Sequence, residues 1–334
     1  MGEVGHDNVT ISAMSPSPSS HPPIPHHPIP HPSIPHHPIP PSLERAYAAC
    51  ASLARAHYEN FPVASRLLPR AMRPHVAAVY AFARVADDIA DEGTAPADDR
   101  LARLNAWQRR LHAAVAADGN ESMAEPHADE DLMVVALAHS IRTLDLPLAL
   151  FDDLISAFGQ DTMTTRYDSW AEVFDYCRRS ANPIGRLVLH IAGHRDGDLE
   201  RSSDAMCTAL QLTNFWQDFG RDWRAGRLYV PRDVIVACRA REMELEAPWL
   251  NESWVAALAE CVTRTRACFE AGREVCDAVG GRLRYELRLT WLGGTRMLEL
   301  VERTGAALLT CRPALGARDV PSIAWRAVRW QPQR

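Results

Sequence analysis

Two aspartates, Asp87 and Asp91, stand four residues apart in a segment rich in alanine, valine and isoleucine. On a helix with 3.6 residues per turn, this spacing places both carboxylates on one face. Like charges at that spacing destabilise a helix, and apolar surroundings add to the cost, so a bound cation is expected to offset it. Carboxylate oxygens suit Mg²⁺, which keeps several waters and often bridges to substrate phosphates. Taken alone, this first acidic motif fits a solvated acidic helix end equally well.

Much later in the chain, Asn214, Asp218 and Asp222 follow one another in steps of four and form a second acidic motif. Two helices that each carry such a row can face one another and hold several Mg²⁺ ions with a diphosphate between them. These ions act as Lewis acids on the departing diphosphate where water is excluded. The sequence therefore predicts Mg²⁺ as cofactor, with five ligands: Asp87, Asp91, Asn214, Asp218 and Asp222.

Loss of diphosphate from an allylic or cyclopropylcarbinyl carbon leaves a carbocation, which needs an apolar cavity and aromatic faces. Phe215, Phe82 and Tyr80 lie near the two motifs in the sequence, although ordinary helix packing accounts for each of them as well. Arg84 and Arg227 flank the motifs. An arginine suits a diphosphate, and the alternative is a structural ion pair with a neighbouring carboxylate.

The elements that must position these residues are helices. From Leu43 onward, apolar residues recur at intervals of three and four, and proline and glycine fall mostly between these runs. No alternation of strands with helices occurs, so the predicted class is all-α. The pattern predicts a loop over 118–130 and helices over 43–60, 69–91, 99–117, 131–144, 148–158, 169–180, 183–192, 203–223, 231–240, 252–279, 282–302 and 321–330.

Residues 1–41 differ in composition from the rest, being dominated by proline, histidine and serine, with the block His-His-Pro-Ile-Pro at 26–30 and again at 36–40. Such a segment cannot build a core, and its prolines favour extended conformations. We therefore predict a disordered tail followed by one helical domain over 42–334. The tail histidines would bind a transition metal only loosely.

Charge and cysteine content exclude several classes of protein. The 36 basic and 42 acidic residues give a net charge of -6, which provides no reason to expect a nucleic-acid partner. The eight cysteines form no CxxC pair, so neither a zinc site nor a disulfide framework is indicated. The sequence lacks a secretory leader, a long apolar span and a nucleotide-binding glycine loop. We expect a cytoplasmic protein without a redox cofactor.

Together, the two motifs and their separation resemble the squalene and phytoene synthase family. The resemblance covers about residues 43–302 and includes the segments 61–69, 166–167 and 226–231. It implies an isoprenoid synthase fold, in which two aspartate-rich helices hold Mg²⁺ and a prenyl diphosphate at the mouth of a deep apolar pocket. It also implies that four residues bind the substrate: Arg84, Arg227, Tyr80 and Tyr229.

Within the family, the segments 176–186 and 214–218 are similar to the bacterial hydroxysqualene synthases of hopanoid biosynthesis. Members of that branch convert presqualene diphosphate to hydroxysqualene, with water capturing the rearranged cation. This chain departs from the general family pattern at three places. It has Ser-Ala-Asn at 180–182, where the family has Val-Ala-Gly. It has Gln217 where the family has an arginine, and Glu59 where the family has a basic residue. Compared with the family pattern, these changes reduce the positive charge available to a second diphosphate, which favours a substrate with a single diphosphate.

Pro183 cannot donate a hydrogen bond to a helix and biases Asn182 away from helical geometry, so the helix is expected to break there. We predict that Ser180 and Asn182 then face the pocket and position the water, and that Phe215 stabilises the cation. The alternative at Asn182 is an ordinary loop with a capping asparagine.

Two other functions remain open at this point. One is a condensing prenyltransferase that makes presqualene diphosphate, squalene or phytoene, and the other is a non-catalytic helical scaffold. The acidic motifs argue against a scaffold, since a structural protein gains nothing from buried like charges. The apolar substrate and product suggest peripheral membrane contact, on the inner face of the membrane, and functional coupling to other enzymes of the squalene pathway.

Overall fold

The structure is a computed structural model that describes residues 39–56, 67–91, 95–117 and 129–331. The predicted tail up to residue 38, residues 118–128 of the predicted loop, and Glu59 lie outside the described residues. In the described ranges every regular element is helical and no residue is in a strand, which confirms the all-α class.

The helices follow the predicted order along the chain. They are α1 (Glu44–Ala56), α2 (Arg73–Asp91), α3 (Ala97–Ala116), α4 (Asp129–Leu144), α5 (Leu148–Asp161), α6 (Trp170–Ser180), α7 (Asn182–Ile191), α8 (Gly197–Gln217), α9 (Phe219–Arg224), α10 (Arg232–Ala237), α11 (Glu252–Ala271), α12 (Val275–Ala278), α13 (Gly281–Thr304) and α14 (Asp319–Val328). Short 3-10 helices cover Pro41–Leu43, Glu242–Glu246 and Gly305–Leu309.

Helix α8 lies at the centre of the fold and packs against α7, α11 and α13. Trp216 near its end is fully buried, and its indole nitrogen donates to Thr265 on α11 over 2.8 Å. A second group of helices consists of α1, α2 and α4, and α5 and α7 connect α2 to the part of the fold that contains α8. The two helices that carry the acidic motifs thus belong to one packed structure.

The predicted helix over 203–223 is wrong in two respects: the helix already begins at Gly197, and it is interrupted at Asp218. That residue has φ -94° and ψ 10°, so α8 ends before it and α9 begins after it. Helix α9 packs closely on the 3-10 helix Gly305–Leu309, and a Cβ atom added to Gly220 would lie 2.2 Å from the Leu309 carbonyl oxygen. The close approach of the Gly220 and Leu309 backbones sets the direction of α9. The spacing of apolar residues in the sequence does not predict this contact.

The predicted helix over 252–279 is also interrupted, at Gly272. A Cβ atom at this position would lie 2.4 Å from the Met206 backbone nitrogen, so the backbone at the end of α11 approaches that of α8 closely. Helix α5 runs three residues past its predicted end and includes Asp161. The break between α6 and α7 before Pro183 is confirmed.

None of the helices in the described part of the chain is both long and apolar enough to cross a membrane.

Candidate active site

The first acidic motif lies in the last turns of α2. Helix α2 is unbroken across Asp87 and Asp91, so their two partly exposed carboxylates share one face. Arg84 lies one turn earlier, and its Nη1 is 3.2 Å from Asp87 Oδ2. The same guanidinium pairs with Asp88. Arg84 therefore neutralises part of the acidic helix end while remaining beside Asp87.

The second acidic motif lies where α8 gives way to α9. Asn214 Nδ2 is 3.4 Å from Asp218 Oδ2. Arg312, which follows the 3-10 helix Gly305–Leu309, forms an ion pair with Asp218, and its Nη2 is 3.3 Å from Asp218 Oδ2. Sequence reasoning missed Arg312, since nothing in its local pattern indicates that it approaches Asp218. Gln217 fixes the same segment by donating to the Pro313 carbonyl oxygen over 2.9 Å.

Arg227 joins the two motifs. Its Nη1 is 3.1 Å from Asp91 Oδ1, and its Nη2 is 3.5 Å from Asp222 Oδ1. Gly226 has φ +83°, a conformation that favours glycine, and the turn that it makes lets the Arg227 backbone nitrogen donate to the Asp222 carbonyl over 2.8 Å. The predicted facing of the two motifs is therefore present at Asp91 and Asp222, with a guanidinium between them.

The carboxylates at this junction are short of positive charge. Burial, and then the neighbouring Asp91, raise the pKa of Asp87 to about 6, although Arg84 acts in the opposite direction. Burial also raises the pKa of Asp222 to about 6, against the opposing effect of Arg227. Each additional cation at the junction would favour the ionised carboxylates.

An apolar cavity of about 180 Å³ begins beside the first acidic motif. Asp87, Arg84 and Tyr80 supply its polar lining groups, so the predicted position of Tyr80 next to the motif is met. The remaining wall comes from aliphatic and aromatic residues of α2, α5 and α7: Val76, Val79, Ala83, Phe158, Ile184, Leu187, Val188 and Ile191. Charged and apolar groups are thus separated as a diphosphate with a hydrocarbon chain requires.

The oxygen donors of the two acidic motifs suit the predicted Mg²⁺. In the described ranges no three histidine, cysteine, aspartate or glutamate side chains converge into a ready-made metal cage. Mg²⁺ does not need one, because it is usually bound by one or two carboxylates together with waters and substrate phosphates. The two motifs offer hard oxygen donors on both sides of Arg227, and the raised pKa values of Asp87 and Asp222 indicate a demand for positive charge. The residues fit the ion.

Asp161, at the end of α5, is a site residue that sequence reasoning missed. Tyr176 donates its hydroxyl proton to Asp161 Oδ2 over 2.7 Å. Asp161 Oδ1 is buried and accepts no hydrogen bond from any described residue. Burial raises the pKa of Asp161 to about 7, with a further contribution from Asp91 and an opposing one from Arg227. This carboxyl therefore belongs electrostatically to the junction of the two motifs.

The predicted aromatic residues have separate locations. Phe215 stacks on Tyr229 with ring centroids 3.7 Å apart, and Tyr176 lies 6.0 Å from Phe215. Phe215 and Tyr229 thus form one aromatic cluster next to Asp161, and each covers a face of the other. Phe82 instead stacks on Trp107 in the core at 5.5 Å, so helix packing accounts for it.

The two predicted water-positioning residues do not line the cavity. The Ser180 hydroxyl is buried without a hydrogen-bond partner among the described residues. Asn182 differs from the expectation that it faces the pocket, because it is buried and its side-chain amide is hydrogen-bonded to Thr208 Oγ1 over 3.0 Å. This bond ties the start of α7 to α8.

Comparison with known proteins agrees with this geometry. The family described as squalene/phytoene synthase matches residues 54–320. A hydroxysqualene synthase of Zymomonas mobilis is 41% identical over 56% of this chain and 59% of its own length, so the chain spans about three fifths of that relative. A hydroxysqualene synthase of Sinorhizobium fredii is 34% identical over 69% of this chain and 74% of its own length. Proteins named phytoene synthase match as well.

Among solved structures, the squalene synthase HpnC of Alicyclobacillus acidocaldarius is similar in both sequence and fold. The two chains are 39% identical with a TM-score of 0.72, and the match covers 80% of this chain and 97% of the other. The isoprenoid synthase fold that the sequence predicts is therefore confirmed.

Proposed function

Because the chain belongs to the squalene/phytoene synthase family, we propose that it converts presqualene diphosphate to hydroxysqualene with Mg²⁺ as cofactor. The observation that carries the proposal is the junction of the two acidic motifs across Arg227, beside an apolar cavity. A diphosphate bound at this junction could direct the first part of its hydrocarbon chain into the cavity. The hydroxysqualene synthases among the relatives support the choice of substrate and product.

The metal ions would be held by carboxylate and amide oxygens of the two motifs, that is by Asp87, Asp91, Asn214, Asp218 and Asp222. Bound Mg²⁺ supplies Lewis-acid chemistry to the diphosphate oxygens and makes diphosphate a better leaving group. Arg84 and Arg227 are already directed at the junction, and both guanidiniums can bind diphosphate oxygens as well as their present carboxylate partners.

The reaction breaks the bond between carbon and diphosphate oxygen and leaves a cyclopropylcarbinyl cation. The aliphatic wall formed by α2, α5 and α7 excludes water from this cation while it rearranges, and Tyr80 presents a ring in the same cavity. Water then forms the new carbon–oxygen bond and loses one proton, which the departing diphosphate can accept. Atoms and electrons balance without a reductant.

A condensing prenyltransferase is the second candidate, and the phytoene synthases among the relatives favour it. That reaction requires room for two prenyl diphosphates. Gln217 is neutral, and its amide holds Pro313. The guanidinium on this side comes from Arg312, which is already paired with Asp218. Hydroxysqualene formation therefore remains the function that we propose.

The test supplies the purified protein with presqualene diphosphate and Mg²⁺ in ¹⁸O-labelled water, without a nicotinamide reductant. We expect release of diphosphate and hydroxysqualene whose hydroxyl carries the label. Asp87→Asn and Asp218→Asn should each lose most of this activity and keep the helical circular dichroism signal. Asp98→Asn, on an exposed turn of α3, serves as the control and should retain the activity.

The alternatives predict different products in the same assay. Efficient coupling of two farnesyl or geranylgeranyl diphosphates would favour the condensing enzyme. Absence of turnover with every prenyl diphosphate would favour the scaffold. Full turnover in excess EDTA would contradict the metal-dependent reaction.

A further inference from the structure

Helix α14 near the C-terminal end has one side that packs on the domain. Ala327 is buried, and Trp330 lies just beyond the helix with its ring 5.3 Å from that of Trp291 on α13. Asp319 at the first turn is 2.7 Å from Arg296 Nε on α13. The helix is therefore fixed to the fold, and its outward side has a defined orientation.

The outward side of α14 is apolar. Val320, Trp325 and Val328 have 62%, 58% and 68% of their surface exposed, and Ala324 between them is also exposed. Val320, Ala324 and Val328 follow each other in steps of four, so they form one continuous stripe along the helix. We call Val320, Ala324, Trp325 and Val328 the α14 stripe. Four of the ten large apolar residues that are exposed in the described part of the chain fall within 315–328, which makes this a cluster rather than scattered exposure.

Arginines lie along one side of the α14 stripe. Arg318, Arg326 and Arg329 are all exposed, and the Arg329 guanidinium lies 4.6 Å from the centre of the Trp325 ring. The acidic residue of the helix, Asp319, is paired with Arg296 and does not offset them. This local positive charge occurs in a chain whose net charge is -6. An apolar stripe with a tryptophan and flanking arginines matches the boundary of an anionic lipid bilayer, where chains contact the stripe and headgroups contact the guanidiniums.

We propose that α14 docks the protein on an anionic lipid surface, with the α14 stripe at the level of the headgroups. The proposal rests on the proposed function, because a C30 hydrocarbon substrate and product partition into membranes. The segment that leads into α14 also reaches the active site, since it contains Arg312 and Pro313, which contact Asp218 and Gln217. A stripe of this size provides weak, reversible attachment rather than insertion.

The experiment is flotation of the full chain with vesicles of phosphatidylcholine, either alone or with about one third phosphatidylglycerol. We expect binding to the anionic vesicles that weakens as salt is raised. The double variant Trp325→Ser/Val328→Ser should reduce binding about tenfold or more, because the side chains that enter the boundary are lost. Arg326→Gln/Arg329→Gln should weaken the salt dependence.

Trp249→Ser is the matched control, because Trp249 is also 58% exposed but lies outside α14. It should bind anionic vesicles as the unchanged protein does. Equal binding by the unchanged protein and the stripe variant would overturn the proposal, as would the absence of vesicle binding. A protein that is dimeric without vesicles and becomes monomeric in the stripe variant would show that a second copy covers the stripe, which also overturns it.

Turnover in detergent micelles separates this proposal from the proposed function. The stripe variant should convert presqualene diphosphate in micelles at the rate of the unchanged protein, because none of its changes touches the active site. Loss of vesicle binding with retained micellar turnover supports docking. If the unchanged protein binds vesicles through the stripe but turns over no prenyl diphosphate, the proposed function fails and the docking surface stands.

Discussion

Asp161 is a buried carboxyl whose surroundings make the stability of the fold depend on pH. Burial raises its pKa from 3.8 to about 7 in the folded protein. Between these two values, the unfolded chain loses the proton while the folded chain keeps it. The folded state then binds more protons than the unfolded state, so the contribution of Asp161 to stability is complete below about pH 4 and is lost as pH rises to about 7.

We predict that the stability of the Asp161→Asn variant relative to the unchanged chain is higher at pH 8 than at pH 5. The asparagine cannot ionise, yet its side-chain oxygen can still accept the Tyr176 hydroxyl proton. The difference in unfolding free energy between the variant and the unchanged protein should rise by about 1 kcal/mol or more from pH 5 to pH 8. Urea unfolding at the two pH values, in EDTA, measures this difference.

Tyr176→Phe provides the opposite change. The Tyr176 hydroxyl lowers the pKa of Asp161, so its removal should raise that pKa further and deepen the loss of stability at pH 8. If the stabilities of Asp161→Asn and Tyr176→Phe relative to the unchanged protein both stay constant with pH, Asp161 is not the titrating group.

The direction of helix α9 depends on a single glycine. A side chain at Gly220 would meet the backbone of Leu308 and Leu309, neither of which can move as a flexible side chain could. Gly220→Ala should therefore lower the unfolding free energy by about 1–3 kcal/mol. Because α9 carries Asp222, the same change should weaken binding of inorganic pyrophosphate in saturating Mg²⁺, measured by calorimetry.

Gly293 on α13 is the matched control for this substitution. It also lies inside a helix, but a Cβ atom there meets nothing within 4 Å. Gly293→Ala should raise stability by about 0.5–1 kcal/mol, since alanine loses less conformational freedom in a helix. If the two substitutions had equal effects, the close approach to Leu309 would not be what restricts α9.

At the scale of elements, local chemistry predicts a helix boundary that a proline marks, but not every boundary and not where side chains point. Pro183 predicts the boundary between α6 and α7, and the structure has it there. The orientation of Asn182 depends on its hydrogen bond with Thr208 of α8. Thr208 is distant in sequence, and no local pattern predicts that the two residues pair. The interruption at Asp218 likewise depends on tertiary packing, because no proline marks it and α9 directly after it packs against the backbone of Leu309.

For the whole molecule, the regular spacing of the carboxylates predicts two rows of ligands and a pocket between helices. The residues that connect the rows are less predictable. Arg227 follows from its place in a motif, whereas Asp161 and Arg312 reach the site from α5 and from the segment after α13. Only the packing of these elements, which depends on the complete core, brings them to the junction.

The coupling between the two motifs should be measurable as a failure of additivity. Asp91 and Asp222 share Arg227, although 91 and 222 belong to helices far apart in the chain. A ligand that binds only the folded state stabilises it in proportion to the logarithm of its affinity. If the motifs form a single site, Asp91→Asn and Asp222→Asn should each remove most of the thermal stabilisation that Mg²⁺ with pyrophosphate provides. The double variant should then lose little more than either single variant, because the site it would damage is already lost. Two independent metal sites would instead give losses that add, and thermal melts of the four proteins with and without the ligands distinguish these outcomes.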